Sequence, residues 1–291
     1  MNHFSINDIE NLTGVKAHTL RIWEQRYGVC QAKRKESGHR YYDAEDLKSM
    51  LRLIFLYRSG HRMSQLAGLE EDDLRALALS KTASCSYDNN IGQLTEATQS
   101  FDQQRFDKLL HMMILHLGFE KCILDVVYPF LERLGLLWLT DRALIAHEHF
   151  ASNLIQKKII VAIDGLERPR NSERVVLLYT PGGEAHEIPL LFMQYLFKKY
   201  GTRTIYMGRE TEQECLVELC TKQKVTHLYF HLITHLGDCD VPGYIRNLGA
   251  ELPGVAIVAS GRCLENKTAE LPGEVQLLKD YQQMISFARG Q

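Results

Sequence analysis

Residues 15–42 read VKAHTLRIWEQRYGVCQAKRKESGHRYY. A helical pattern runs from Lys16 to Tyr27 and stops at Gly28. A basic run, Lys33-Arg34-Lys35, and a Ser37-Gly38 turn then lead into His39-Arg40-Tyr41-Tyr42. Between Lys16 and Tyr42, seven Lys/Arg stand against two Glu, a local charge of +5 in a chain of net charge −2. Cations concentrated on one short stretch fit an anionic partner, and a phosphate backbone above all.

Upstream, Phe4, Ile6, Ile9 and Leu12 recur at helical spacing, with Ser5 placed as an N-cap. Thr13-Gly14 breaks that pattern before Lys16 starts the next helix. A short helix, a tight turn and a second helix make a helix-turn-helix, whose second helix enters the major groove by its N-terminal end. Leu20, Ile22 and Trp23 are expected to pack inward. His18, Thr19 and Arg21 are then candidates for base contacts, and Lys16, Arg34, Arg40 and Tyr41 for phosphate contacts. An ordinary surface helix pair would show the same periodicity, but the basic hairpin beside it favours double-stranded DNA.

At 291 residues, 45% hydrophobic and 24% charged, the chain is long and apolar enough for two or three globular domains. No apolar run reaches the roughly 18–20 residues of a membrane helix. The start, MNHFSINDIENL, lacks a basic n-region and an apolar h-region, so a cytoplasmic protein without a membrane partner is expected. Seven cysteines are scattered with no Cys-x-x-Cys pair, which reads as reduced thiols.

Four segments follow. Residues 1–80 form the helix-turn-helix and the helices after its hairpin. Residues 81–90, KTASCSYDNN, read as a linker. Residues 91–168 read as a helical bundle, with helices over 106–117, 119–136 and 143–163 punctuated by Gly118 and Gly135. After the polar stretch 167–173, residues 174–291 alternate short apolar runs with helical patterns. Strands are expected at 175–179, 204–207, 225–230, 255–259 and 275–277. The expected fold is multidomain α and α/β: a winged helix-turn-helix, a central bundle, and a doubly wound parallel sheet of flavodoxin or Rossmann type, with its ligand at the carboxyl ends of the strands.

Thr19-Leu20-Arg21-Ile22-Trp23-Glu24, then Arg34-x-Glu36-Ser37-Gly38-x-Arg40-Tyr41-Tyr42 and Asp46-Leu47, resembles the winged-helix DNA-binding domain of the MerR family over roughly residues 3–75. The resemblance implies a regulator that binds operator DNA as a homodimer or higher homo-oligomer. Further on, Glu184-x-His186-x-x-Pro189 lies in the loop after the first strand of the sheet. A His beside a carboxylate is also a plausible metal ligand with its orienting partner. Forty-one residues (190–230) separate this triplet from His231-Leu232-Ile233, and 26 (234–259) separate that from Ser260-Gly261. This register is similar to that of the cobalamin-binding domain of methionine synthase and the mutases, in which the three motifs are Asp-x-His-x-x-Gly, Ser-x-Leu and Gly-Gly. Trp138, nine residues, then Glu148-His149 resembles the motif of cobalamin-dependent, light-responsive MerR-type repressors. The resemblance implies that His186 coordinates cobalt from below and that Trp138, Glu148 and His149 cover the upper face of adenosylcobalamin or methylcobalamin. It also places Glu184, His231, Ser260 and Gly261 along the cofactor.

Four residues depart from that pattern. Pro189 and Ser260 replace glycines, His231 replaces a serine near the nucleotide tail, and Leu139 stands where light-sensing members carry His. They leave a second reading open: a regulator whose degenerate cobalamin domain answers another ligand or a protein partner. A corrinoid enzyme subunit is the third reading, but no length remains for a catalytic barrel. His227, His231, His235 and Cys239 recur every four residues, a spacing a metal site could also use.

Overall fold

A computed structural model describes residues 4–13, 15–34, 39–80, 87–167, 173–233, 240–265 and 275–291. The Ser37-Gly38 turn, most of both linkers, His235 and Cys239 fall outside the described residues. The chain divides into two compact units, residues 1–5 with 16–155 and residues 6–15 with 156–291. Helix α1 (Ile6–Thr13) belongs to the second.

The first unit opens with α2 (Ala17–Tyr27), whose C-cap Gly28 adopts the left-handed conformation that ends it. Strands β1 (Lys33–Arg34) and β2 (Arg40–Tyr41) pair antiparallel, and Phe4 adds a backbone bridge to Tyr42. Helix α3 (Ala44–Arg58) starts at Asp43, which forms a reciprocal capping box with Asp46. Helices α4 (Met63–Leu66) and α5 (Glu71–Ser80) follow. Leu20 and Trp23 are buried, but Ile22 is 39% exposed, which corrects the inward position expected of it. Two residues along a helix are about 200° apart, so Leu20 and Ile22 cannot share a face.

The bundle begins with α6 (Asp88–Gln99), a helix the sequence reading did not name and which takes up the end of the expected linker. Ile91, Leu94 and Ala97 give it a buried face. Next come α7 (Gln103–Leu117) and α8 (Phe119–Cys122), which passes through a π-helical turn, Ile123–Val127, into α9 (Tyr128–Leu139). Gly135 lies inside α9 and does not break it. One interior glycine costs about 1 kcal/mol, less than burying Phe130, Leu134 and Leu136 of the same helix returns. Phe106 meets Phe130 edge-on at 5.8 Å in the bundle core. Helix α10 (Ile145–Asp164) completes the bundle.

In the second unit the strands are β3 (Val175–Tyr179), β4 (Arg203–Gly208), β5 (His227–His231), β6 (Ala256–Ser260) and β7 (Val275–Leu278). They pair in parallel in the order β4-β3-β5-β6-β7. The crossovers run through α11 (Ile188–Lys199), α12 (Gln213–Lys222), α13 (Val241–Glu251) and α14 (Arg262–Glu265), and α15 (Tyr281–Arg289) closes the chain. Every residue of β3 is buried, as expected of a central strand covered on both faces. The strand order reverses between β3 and β5. Chain direction therefore places the loops after those strands beside the crevice at which such sheets bind ligands.

Candidate functional site

Lys16, His18 and Arg21 are exposed at the start of α2, Thr19 is half-buried, and no side chain caps this helix end. The hairpin register sets Arg34 directly across from Arg40, with Lys33 across from Tyr41. Like charges placed opposite each other repel. Glu24 relieves this pair from α2, its Oε2 lying 3.1 Å from Nη1 of Arg40. Lys33 pairs with Asp43 and, at 2.9 Å, with Asp46, which anchors the hairpin to α3. The Lys33 hydrogen bond holds the Asp43 carboxyl down at about 2. The exposed cations of α2 and the hairpin are thus fixed to one scaffold.

Within the same unit, α3 and α5 pack against the end of α9. Arg52 is 1% exposed. Its guanidinium donates to the carbonyl of Leu139 (Nε to O, 2.8 Å) and pairs with Glu71. Asp141, in the left-handed region at φ 60°, receives Arg75 at 2.7 Å and Lys48 at 2.5 Å. The Lys48 ammonium also lies 5.3 Å from the centre of the Trp138 ring. No sequence pattern pointed to Lys48, Arg52, Arg75 or Asp141. On α10, Glu148 and His149 form a hydrogen-bonded pair (Oε2 to Nδ1, 2.8 Å), and Ser152 donates to the other carboxylate oxygen. Trp138 is half-buried and His149 exposed.

In the second unit Glu184 organises the loop after β3. Its side chain is fully buried. Oε1 accepts from the backbone N–H of His186 (2.8 Å) and from its ring Nδ1 (2.6 Å), and Oε2 accepts from the backbone N–H of Ile233 (2.7 Å). With Nδ1–H committed to Glu184, Nε2 is the His186 nitrogen that would meet a metal. The imidazole is about half exposed. Pro189 occupies the first turn of α11, where its missing N–H has no helical partner to lose.

His231 and Ser260, the last residues of β5 and β6, are cross-strand partners. Their side chains hydrogen-bond at 2.7 Å, and the Tyr229 hydroxyl meets the same Ser260 oxygen at 2.5 Å. All three are buried. Burial pushes the His231 imidazole down to about 4, so it is neutral in the folded protein at pH 7. The folded state therefore takes up fewer protons than the unfolded chain between about 6.5 and 4. The stability that neutral His231 contributes is present above that window and is lost as the pH falls through it, up to roughly 3 kcal/mol at about 1.4 kcal/mol per unit. In urea titrations across that window, His231→Gln is expected to flatten the acid decline; an unchanged slope would remove His231 as its cause.

A family model described as a MerR HTH family regulatory protein matches residues 4–73, and one described as a B12 binding domain matches residues 91–162. The chain joins a MerR HTH domain to a B12-binding domain. It is homologous to two HTH-type transcriptional repressors of Myxococcus xanthus. CarH is 26% identical over 220 residues, 73% of this chain and 73% of that protein, and CarA is 27% identical over 222 residues, 75% and 72%. Among solved structures, the Methanosarcina barkeri monomethylamine corrinoid protein superposes with a TM-score of 0.58 at 15% identity, over 70% of this chain and 99% of that one. That likeness is one of fold alone. The MerR HTH domain holds the exposed cations of α2 and the hairpin, and the B12-binding domain holds Trp138, Glu148 and His149.

The side chains fit cobalamin in one respect and not in another. The buried Glu184 carboxylate orients an accessible His186 as a cobalt ligand requires. The His231–Ser260–Tyr229 cluster, by contrast, puts buried side chains hydrogen-bonded to one another at two positions that the resemblance sets along the nucleotide tail.

Proposed function

We propose that this protein is a DNA-binding transcription regulator of MerR type whose C-terminal part senses cobalamin. The observation that carries the reading is the pairing, in one chain, of a MerR HTH domain with a B12-binding domain. The Arg52–Leu139 and Lys48–Trp138 contacts support it, because they join α3 to the helix end that would cover the corrin. In this reading residues 1–80 bind double-stranded operator DNA, 91–168 cap the corrin and 174–291 hold its lower face, with a linker ahead of α6. Lys16, Arg34, Arg40 and Tyr41 meet phosphates, and His18, Thr19 and Arg21 lie at the base edges. Trp138, Glu148 and His149 lie above the ring, and Glu184 orients His186 below it. Bound cobalamin supplies a cobalt centre with an exchangeable upper ligand. The protein works in the cytoplasm as a homo-oligomer, without enzymatic activity. Among the described residues no helix is long and apolar enough to cross a membrane.

The cofactor is tested by mixing purified protein with adenosylcobalamin in the dark, desalting, and recording the visible spectrum. A retained, stoichiometric corrin spectrum is expected. A colourless protein after adenosyl-, methyl- and hydroxocobalamin sinks the sensor reading and leaves the DNA-binding one standing. The hairpin is tested by Arg40→Ala, which is expected to weaken operator binding and to lower the slope of log K against log salt by about one. Unchanged affinity at moderate salt rules out the hairpin as a phosphate contact.

A further inference from the structure

A ligand with a buried appendage needs a gap at the carboxyl end of the sheet, and among the described residues the side chains there bridge both candidate gaps. Between β3 and β5, at the switch point, the buried Glu184 carboxylate crosses from the His186 loop to the Ile233 N–H, so one side chain ties the two loops together. At the end of β3, the fully buried Tyr179 hydroxyl accepts a hydrogen bond from Tyr244 at 3.0 Å. Between β5 and β6, His231, Ser260 and Tyr229 form a continuous hydrogen-bonded cluster. The main chain seals the same place. Leu232 donates to the Ser260 carbonyl at 2.9 Å, and its own carbonyl accepts from Cys263 at 3.2 Å. A Cβ built on Gly261 would lie 2.1 Å from the Leu232 carbonyl oxygen, so this glycine faces packed backbone and not an open cradle.

His186, in contrast, is about half exposed beside these bridged gaps. We infer that the sheet unit holds a corrinoid from its surface through His186 and that its described residues give the nucleotide tail no buried berth, so that it recognises the corrin ring and not the tail of cobalamin. The inference rests on the cobalamin reading above and narrows it. It has a thermodynamic consequence. In free cobalamin the benzimidazole of the tail occupies the lower axial position, and His186 must displace it to reach cobalt. A protein that buries the displaced tail recovers that cost in contact area. Here the displaced tail remains in water and nothing is recovered. Cobinamide, which ends before the nucleotide, has no base to displace.

The experiment is equilibrium dialysis of the full-length protein in the dark against hydroxocobalamin and, separately, diaquacobinamide, with visible spectra of the retained species, for wild type and His186→Ala. Cobinamide is expected to bind with a Kd equal to or lower than that of hydroxocobalamin. Both should show the spectral shift of imidazole ligation, and both should lose it in His186→Ala. Cobinamide binding weaker by tenfold or more would mean that the tail is gripped, and would overturn the inference while leaving the cobalamin reading intact. Cobinamide retained equally by His186→Ala would place it on another side chain and also overturn the inference. Retention of neither ligand would overturn the cobalamin reading and this inference with it.

Discussion

Arg52→Ala is expected to destabilise the first unit by about 2–3 kcal/mol, seen as a lower urea midpoint for the full-length protein. Truncation removes a buried stem and leaves the Leu139 carbonyl without its guanidinium donor. The ionic share is smaller than for a fully buried pair, because Glu71 and Asp141 are 45% and 33% exposed and keep much of their hydration. Arg52→Lys retains charge and stem but not the fork, and should lose roughly half as much. A midpoint unchanged in both variants would mean that α3 does not depend on its contact with α9. Asp141 adds a pH signature. Its carboxyl is held below the usual range first by the Lys48 hydrogen bond, then by the charges of Lys48, Arg75 and Arg52. The stability it contributes is therefore present above the unfolded carboxylate value and lost as pH falls through the depressed folded one. The difference between wild type and Asp141→Asn should begin to shrink as the pH falls through the unfolded carboxylate value of about 4 and vanish only below the depressed folded one.

Glu184→Ala carries the second large effect, and it acts on stability and on binding at once. Three N–H groups lose their acceptor around a fully buried position, a loss of about 3 kcal/mol. His186 also loses the partner that fixes its tautomer, and cobalamin affinity should fall by about 10–100-fold. Circular dichroism at the dialysis temperature separates the two effects. A variant that remains folded and binds cobalamin as wild type does would show that Glu184 serves the fold alone. Glu184→Gln is not a neutral replacement, because both carboxylate oxygens accept and an amide must turn its NH2 toward one of those donors.

The parts legible in the sequence are those whose signals are local. Alternation of short apolar runs with helical stretches located all five strands of the sheet to within about two residues. The basic hairpin after a helix-turn-helix located the cationic face. Helix α6 was hidden because its buried face is little more than Ile91, Leu94 and Ala97, and its first residues, Asp88-Asn89-Asn90, belong equally to turns and to helix starts. The Arg52–Asp141 network could not be read at all, because it joins side chains nearly ninety residues apart. The spacing of the resembled motifs brought His231 and Ser260 into view, but as two places along an expected ligand. Their direct partnership across β5 and β6, which changes the meaning of both, exists only once strand register is known.

Gly261 bears on how such proteins are found. It adopts φ +115° and has the Leu232 backbone where a side chain would begin, so no other residue fits there, with or without a ligand. A search pattern that counts this glycine as a cofactor contact therefore scores chains for a residue that the fold requires by itself. In such chains the residue records how two loops are threaded past each other, and vitamin binding has to be judged from its neighbours at 231 and 260.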